Sequence, residues 1–457
     1  MEQTGSFGKT NLLEGVIWKQ QLRFFFPILF GIFFQQLYNT ADALIVGQFV
    51  GKEALACVIG SPNTLTTLII GFFNGLSMGA MVEVSHYFGA RDFDRLNRSV
   101  YTVFVLSAVG AVIISALFCF FMPTILTIMH TPADLMDGSL LYLYIYFGCI
   151  IFSFLYNSGS AILRAIGDSR RPMLYLIVCC LLNIGLDILF VAVLHWGIAG
   201  AAFATILSQA ISALLVIRIV FFHIEELHLK IRNIRADMRI LRNMLRLGLP
   251  AGFQSVMYDV ANMTIMTAIN GLGVDTVAAY GAIGKIDALF WMVNNAFGTT
   301  VATFVGIHYG AGKIERLKKG VKQCLILSLI AAAFVSCILL FGCWHFIYAF
   351  VSDETVANIG QNMVFHLVPF YFVFEFVEIR VSALRAEGDV IVPACIVFLT
   401  TCVLRIIWIS VLMAGGDYNC IQVIMCYPVS WILSAIVFSI YFGPRQNKIL
   451  KALEGTK

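Results

Sequence analysis

Two carboxylates and an amide stand where an apolar helix would ordinarily carry none. Asp42 lies in the apolar run 24–49, and Asn183-x-x-x-Asp187 sets an amide and an acid one helical turn apart in the run 172–194. Counted from the outer end of each run at ~1.5 Å per residue, Asp42 and Asp187 both lie roughly 10 Å down and Asn183 roughly 16 Å. Thr205, in the run 197–222, lies roughly 12 Å down; Tyr142 and Tyr146, in the run 138–163, lie roughly 6 and 12 Å down. Two carboxylates that meet at such a depth either share a proton or hold a small hard cation through oxygen ligands. Asn183 and Thr205 could belong to that site, or could merely satisfy a neighbouring helix and their own backbone.

A second polar set lies further along. Asp259 falls in the run 247–271, Lys285 and Asp287 in 277–308, Glu375 and Glu378 in 359–384, and Arg405 in 391–414. Glu375 and Glu378 share a helix face by their i,i+3 spacing, whereas Lys285 and Asp287 do not. Depth permits Lys285 to pair with Asp259 and Arg405 with Glu375, as ion pairs that either fix packing or serve function. Glu83, near the inner end of its run, is expected to snorkel to the interface.

These depths have meaning only if the runs cross a bilayer, and composition says that they do. The chain is 60% hydrophobic and 12% charged, with mean hydropathy +0.88, where soluble domains run at about 25% charged. A soluble globular protein is excluded. Twelve apolar runs of spanning length can be placed: 24–49, 58–87, 98–122, 138–163, 172–194, 197–222, 247–271, 277–308, 320–347, 359–384, 391–414 and 419–443. The expected fold is therefore all-α and integral to the membrane, with the lipid bilayer as its first partner. The twelve cysteines lack metal-ligand spacing and read as small buried hydrophobes.

The twelve runs are two copies of six. Leu163-Arg164-Ala165-Ile166-Gly167-Asp168 with Pro172 returns as Leu384-Arg385-Ala386-Glu387-Gly388-Asp389 with Pro393, at an offset of 221. Gly89-Ala90 returns as Gly310-Ala311 at the same offset, and Pro27 returns as Pro250 at 223. An even number of spans per copy makes the repeat parallel. Of the 30 Lys and Arg residues, 27 fall on inner segments when the N-terminus is inside, which predicts that both termini are cytoplasmic. The expected domains are an N-lobe over 1–222, a basic cytoplasmic connector over 223–246 and a C-lobe over 247–457. Leu and Ile at helical spacing in the connector predict an amphipathic helix on the inner leaflet.

Along almost its whole length the chain resembles the multidrug and toxic compound extrusion (MATE) transporters. The resemblance rests on Tyr87-Phe88-Gly89-Ala90-Arg91-Asp92, the Leu163–Pro172 segment, Asn183-x-x-x-Asp187, and Gly197-Ile198-Ala199-Gly200-Ala201-Ala202-Phe203-Ala204-Thr205. It implies two six-helix lobes around a central cleft, alternating access, and export of amphipathic, often cationic, drugs driven by inward H+ or Na+. It also implies a cation site at Asp42, Asn183, Asp187 and Thr205, where Na+ would bind if it is the coupling ion, with Tyr142 a weaker match. In the second lobe some relatives carry an acid early in the seventh span. This chain has Gln254 there, so coupling is expected in the first lobe.

The expectation is a secondary active antiporter in the plasma membrane of a prokaryote-like cell. It would act as a monomer on small molecules, with no nucleic-acid partner, no cofactor beyond the coupling ion, and no enzymatic activity. A lipid-linked precursor flippase is the alternative; its cleft would present several basic residues to a pyrophosphate, where Lys285 and Arg405 are the only two placed deep in spans.

Overall fold

The computed structural model describes residues 13–224, 226–230, 232, 234–350 and 353–454. Among these the chain is helical throughout, with no strand. The first repeat runs α1 (Ile17–Phe49), α2 (Lys52–Ile59), α3 (Ser61–Gly89), α4 (Phe93–Ile128), α5 (Ala133–Gly148) and α6 (Ile151–Ala165). It ends with α7 (Arg170–Asp187), a π-helical turn over Ile188–Val193, and α8 (Gly197–Phe222). The second repeat runs α9 (Met238–Asn270), α10 (Val274–Gly310), α11 (Ile314–Phe350), α12 (Glu354–Leu367) and α13 (Tyr371–Ala386). After these come α14 (Ile391–Val397), a second π-helical turn over Phe398–Val403, α15 (Leu404–Gly415), α16 (Cys420–Ile424) and α17 (Cys426–Glu454).

Joined across their breaks, these elements form the twelve spans, six per repeat. Among the described residues eight are long and apolar enough to cross a membrane outright, and α5 with α6, bent by 49°, makes a ninth. The remaining three are α1, α9 and the α12–α13 pair. They carry Asp42, Asp259, and Glu375 with Glu378, beside other polar residues such as Gln35, Gln36 and Asn39 on α1. Rings such as Phe120 and Phe341, 78% and 88% exposed, give the helices an apolar exterior suited to lipid.

The repeated motifs are helix stops. At Gly167 (φ +88°) and Gly388 (φ +90°) the chain turns left-handed, and Asp168 N and Asp389 N each donate to the carbonyl five residues back, at 2.9 Å. The next pair of stops differs in one residue. Gly312 takes φ +64° in the second repeat, while the matching position in the first is Arg91 at φ +57°. A side chain in that region is strained by about 1 kcal/mol, part of which the greater freedom of glycine in the unfolded chain takes back. Arg91→Gly should therefore stabilise the protein by about 0.5 kcal/mol. A thermal midpoint in detergent that falls below wild type would refute this.

Two expectations are corrected here. The described connector residues before Met238 do not form an amphipathic helix. Tyr101 Oη bonds both the carbonyl and the N–H of Lys230, at 3.1 and 2.6 Å, and Thr102 Oγ1 accepts from Asp237 N at 3.0 Å. These bonds tie Lys230 and Asp237 to α4, and Asp237 caps α9 by accepting from Arg239 N at 2.9 Å. Residues 225, 231 and 233 lie outside the described set. Glu83 does not snorkel either: it is buried and accepts from Tyr87 Oη at 2.8 Å and Asn243 Nδ2 at 3.3 Å.

The chain forms two compact units, one over Phe26–Gly252 and the other combining the described part of Leu12–Phe25 with that of Phe253–Lys457. In the first unit, Phe73 stacks on Phe154 (centroids 3.6 Å apart), fixing α3 on α6, and Phe118 stacks on Phe147 at 5.0 Å. The same unit holds a seam without side chains. A Cβ on Gly75 would meet Gly252 N at 2.4 Å, and one on Gly79 would meet Gly248 N at 2.4 Å. Two Gly-x-x-x-Gly faces, on α3 and early α9, thus pack backbone to backbone. In the second unit Phe290 stacks on Tyr371 (3.9 Å), fixing α10 on α13, and Phe25 stacks on Phe297 (4.1 Å).

Candidate functional site

Four helices of the first unit each contribute one polar pair spaced i,i+4, which places both members on one face. The pairs are Tyr38 and Asp42 on α1, Tyr142 and Tyr146 on α5, Asn183 and Asp187 on α7, and Thr205 and Gln209 on α8. Local sequence explains the approach of α7 and α8. The π-turn widens the helix directly after Asp187, and Leu194 N reaches back to Leu189 O at 2.8 Å. Gly200 then lets α8 come close, since a Cβ there would lie 3.1 Å from the Phe190 carbonyl.

The pairs converge. Asp42 and Asp187 bring their carboxyl groups face to face at hydrogen-bonding range. Asn183 Nδ2 points to Thr205 Oγ1 at 3.5 Å, at the outer limit of a hydrogen bond. The Tyr142 and Tyr146 rings stack 6.1 Å apart, and Tyr142 lies beside both acids. The hydroxyls of Tyr38 and Tyr146 both lie at the Gln209 side chain. Asn183 and Asp187 are wholly buried, and Asp42, Thr205 and Tyr142 are each at most 7% exposed. Asp42 Oδ1, both oxygens of Asp187 and Asn183 Oδ1 receive no hydrogen bond among the described residues. A cluster this rich in buried acceptors and this poor in donors can bind a proton between its carboxyls, or a small cation among its oxygens.

All five first-repeat residues expected at the site are therefore assembled in one place. Tyr38 and Gln209 are additions. Each stands one turn from an expected residue, on the same face, and that spacing was the available signal.

The second-repeat residues are not assembled as expected. Lys285 is exposed and makes no ion pair with Asp259, which is itself half-buried. Arg405 does not pair with Glu375. It donates from Nε to Ser430 Oγ at 3.1 Å and lies 4.3 Å above the Tyr427 ring. Glu375 is fully buried beside Ser328, and among the described residues neither of its oxygens receives a hydrogen bond. Equal depth fixes height in the membrane but not direction around the helix, and direction decides partners. Glu378 accepts from Ser382 Oγ at 2.9 Å, and Asp287 from Trp291 Nε1 at 3.0 Å. Gln254 accepts from the guanidinium of Arg385, a residue that the sequence marked only as a repeat landmark.

A family model described as MatE matches the chain twice, over residues 27–189 and 250–410. The chain is similar to "Probable multidrug resistance protein YoeA" of Bacillus subtilis (strain 168), 26% identical with 93% of each chain covered. It is 30% identical to "Probable multidrug resistance protein YpnP" of the same organism, over 67% of this chain and 68% of that one. Among solved structures, an outward-facing conformation of a multidrug resistance MATE family transporter matches 97% of this chain and 99% of its own. Its TM-score is 0.89 at 22% identity, a likeness of fold.

Proposed function

The chain belongs to the MatE family, and from that premise we propose that it is a secondary active exporter of amphipathic small molecules, cationic drugs among them. Its motive force is the inward flow of H+ or Na+ across the plasma membrane. The observation that carries this reading is the pair Asp42 and Asp187, buried against each other, with Asp42 Oδ1 and both Asp187 oxygens receiving no hydrogen bond among the described residues. Transport couples two events only through a group whose occupancy differs between conformations. With a proton or cation between them the two acids attract; with neither they repel. Asp42 rides on α1, and Asp187 on α7 just before a π-turn, so a change of occupancy bears on the spacing of two helices. Asn183 and Thr205 supply further oxygens, and Tyr38, Tyr142 and Tyr146 wall the site. The names of YoeA and YpnP support drugs as cargo class.

Reconstituted vesicles test it. Ethidium efflux should follow an imposed proton gradient or an imposed sodium gradient, each applied alone with the other ion balanced. No acceleration of efflux by either gradient would refute the proposal.

A further inference from the structure

Arg405 is a buried cation that forms no ion pair among the described residues. It lies mid-span, directly after the π-turn Phe398–Val403, and is 2% exposed. That turn packs on α17, where Thr400 Oγ1 meets Ser434 Oγ at 2.6 Å, and Arg405 follows it onto the same helix at Ser430. The Ser430 hydroxyl uses one N–H, and Tyr427 covers one face of the guanidinium. Among the described residues no carboxylate ion-pairs with it. Asp287 and Glu378, which each share a tyrosine neighbour with Arg405, are held instead by Trp291 and Ser382. Among the described residues the two terminal nitrogens have no acceptor, yet neither is fully buried. Each terminal nitrogen therefore keeps a sliver of accessible surface, within the 2% exposure of the residue. A guanidinium at membrane depth is costly to bury unpaired, and it never sheds its proton, so it does not serve as a coupling group.

The surroundings are aromatic. Tyr258, Tyr280 and Tyr427 stand around Arg405. The hydroxyls of Tyr280 and Tyr427 lie 3.0 Å apart, and Tyr427 Oη reaches the exposed Asn262 at 3.4 Å. A planar fork matches a carboxylate or phosphate with two parallel hydrogen bonds, and tyrosine faces match a flat ring beside it. We propose that Arg405, with Tyr427 and Tyr280, forms an oxyanion subsite in the second repeat that binds the carboxylate or phosphate of an aromatic cargo molecule. This rests on the exporter reading and adds to its cargo aromatic molecules that carry an anionic group, alone or with a cationic one.

Riboflavin 5′-phosphate and riboflavin share one ring system and differ by the oxyanion, so flavin fluorescence titrations of the purified full-length protein in detergent decide the point. The phosphate form should bind at least about tenfold tighter. Arg405→Gln should bring the two within about twofold, by weakening the phosphate form and not by tightening riboflavin. Equal affinities in wild type, or a preference that survives in Arg405→Gln, would overturn the proposal. Should that variant not fold, Arg405→Lys, which keeps the charge but loses the fork, must narrow the preference, and an undiminished one overturns it. Displacement of the flavin phosphate by phosphatidylglycerol at a few molecules per protein would assign the subsite to a lipid headgroup and likewise overturn it. Binding needs no ion gradient. Oxyanion preference without gradient-driven efflux would refute the exporter reading alone, and efflux without the preference would refute this subsite alone.

Discussion

Asp42→Asn should leave a folded, membrane-inserted protein whose efflux no longer responds to an ion gradient. The amide matches the carboxyl in size and keeps the Asp187 side chain a neighbour that does not repel it. It therefore resembles the occupied state, and it cannot release what it never bound. Coupling free energies between sites usually correspond to about 5–150-fold in equilibrium, so gradient-driven efflux should fall by that range, toward passive leak. Ethidium binding to the purified variant should change far less, because Asp42 is buried against Asp187 and away from solvent. Asp187→Asn should behave the same way, and the double variant should be no worse than either single. Full gradient-driven efflux by both single variants would remove this pair from the mechanism.

The largest expected loss of stability comes from a single methyl group. In Gly79→Ala the new Cβ would lie 2.4 Å from Gly248 N, 2.6 Å from Gly248 Cα and 2.7 Å from Met244 O. Carbon contacts are comfortable at about 3.5–4.0 Å, and all three of these atoms belong to a helix backbone that has no rotamer to change. Helices α3 and α9 would have to part by about 1 Å, at a cost of about 3 kcal/mol. Gly75→Ala meets Gly252 in the same manner. Gly148→Ala is the control, since its Cβ meets nothing within 4 Å. Heating in detergent followed by size-exclusion chromatography should show the monodisperse peak of Gly79→Ala lost at lower temperature than that of wild type or Gly148→Ala. Coincident melting of all three would mean that the seam does not hold the helices.

What could be read from residues alone divides along a physical line. Hydropathy and the 221-residue offset reach the all-helical, twice-repeated architecture, because each depends only on order along the chain. Counting along a helix also brought Asp42, Asn183, Asp187, Thr205 and Tyr142 to one level, and the structure joins them. It could not do the same for Lys285 with Asp259 or Arg405 with Glu375. There the levels agree, but the side chains leave their helices in different directions. Gly75-x-x-x-Gly79 and Gly248-x-x-x-Gly252 are both visible as small-residue faces, yet nothing local says that each is the other's partner. The connector misled for a related reason: its apolar residues have helical spacing, but Tyr101 and Thr102, more than a hundred positions earlier, bond Lys230 and Asp237.

Helices α1 and α9 each change unit partway along, at Phe25–Phe26 and at Gly252–Phe253, close to Pro27 and Pro250. The turns Ile17–Phe25 find their neighbours far down the chain: Gln21 Nε2 donates to Gly320 O at 2.8 Å, and Phe25 stacks on Phe297. On the ribosome these turns emerge before the helices that follow them and reach their final neighbours only after part of the second half has been made. The first half in turn lacks the Gly248–Gly252 face until translation has passed the connector. A gene cut in the connector would therefore encode two fragments, neither of which holds a whole unit. The duplicated architecture is thus not two finished bodies in series, because each half is completed by the opening turns of the other.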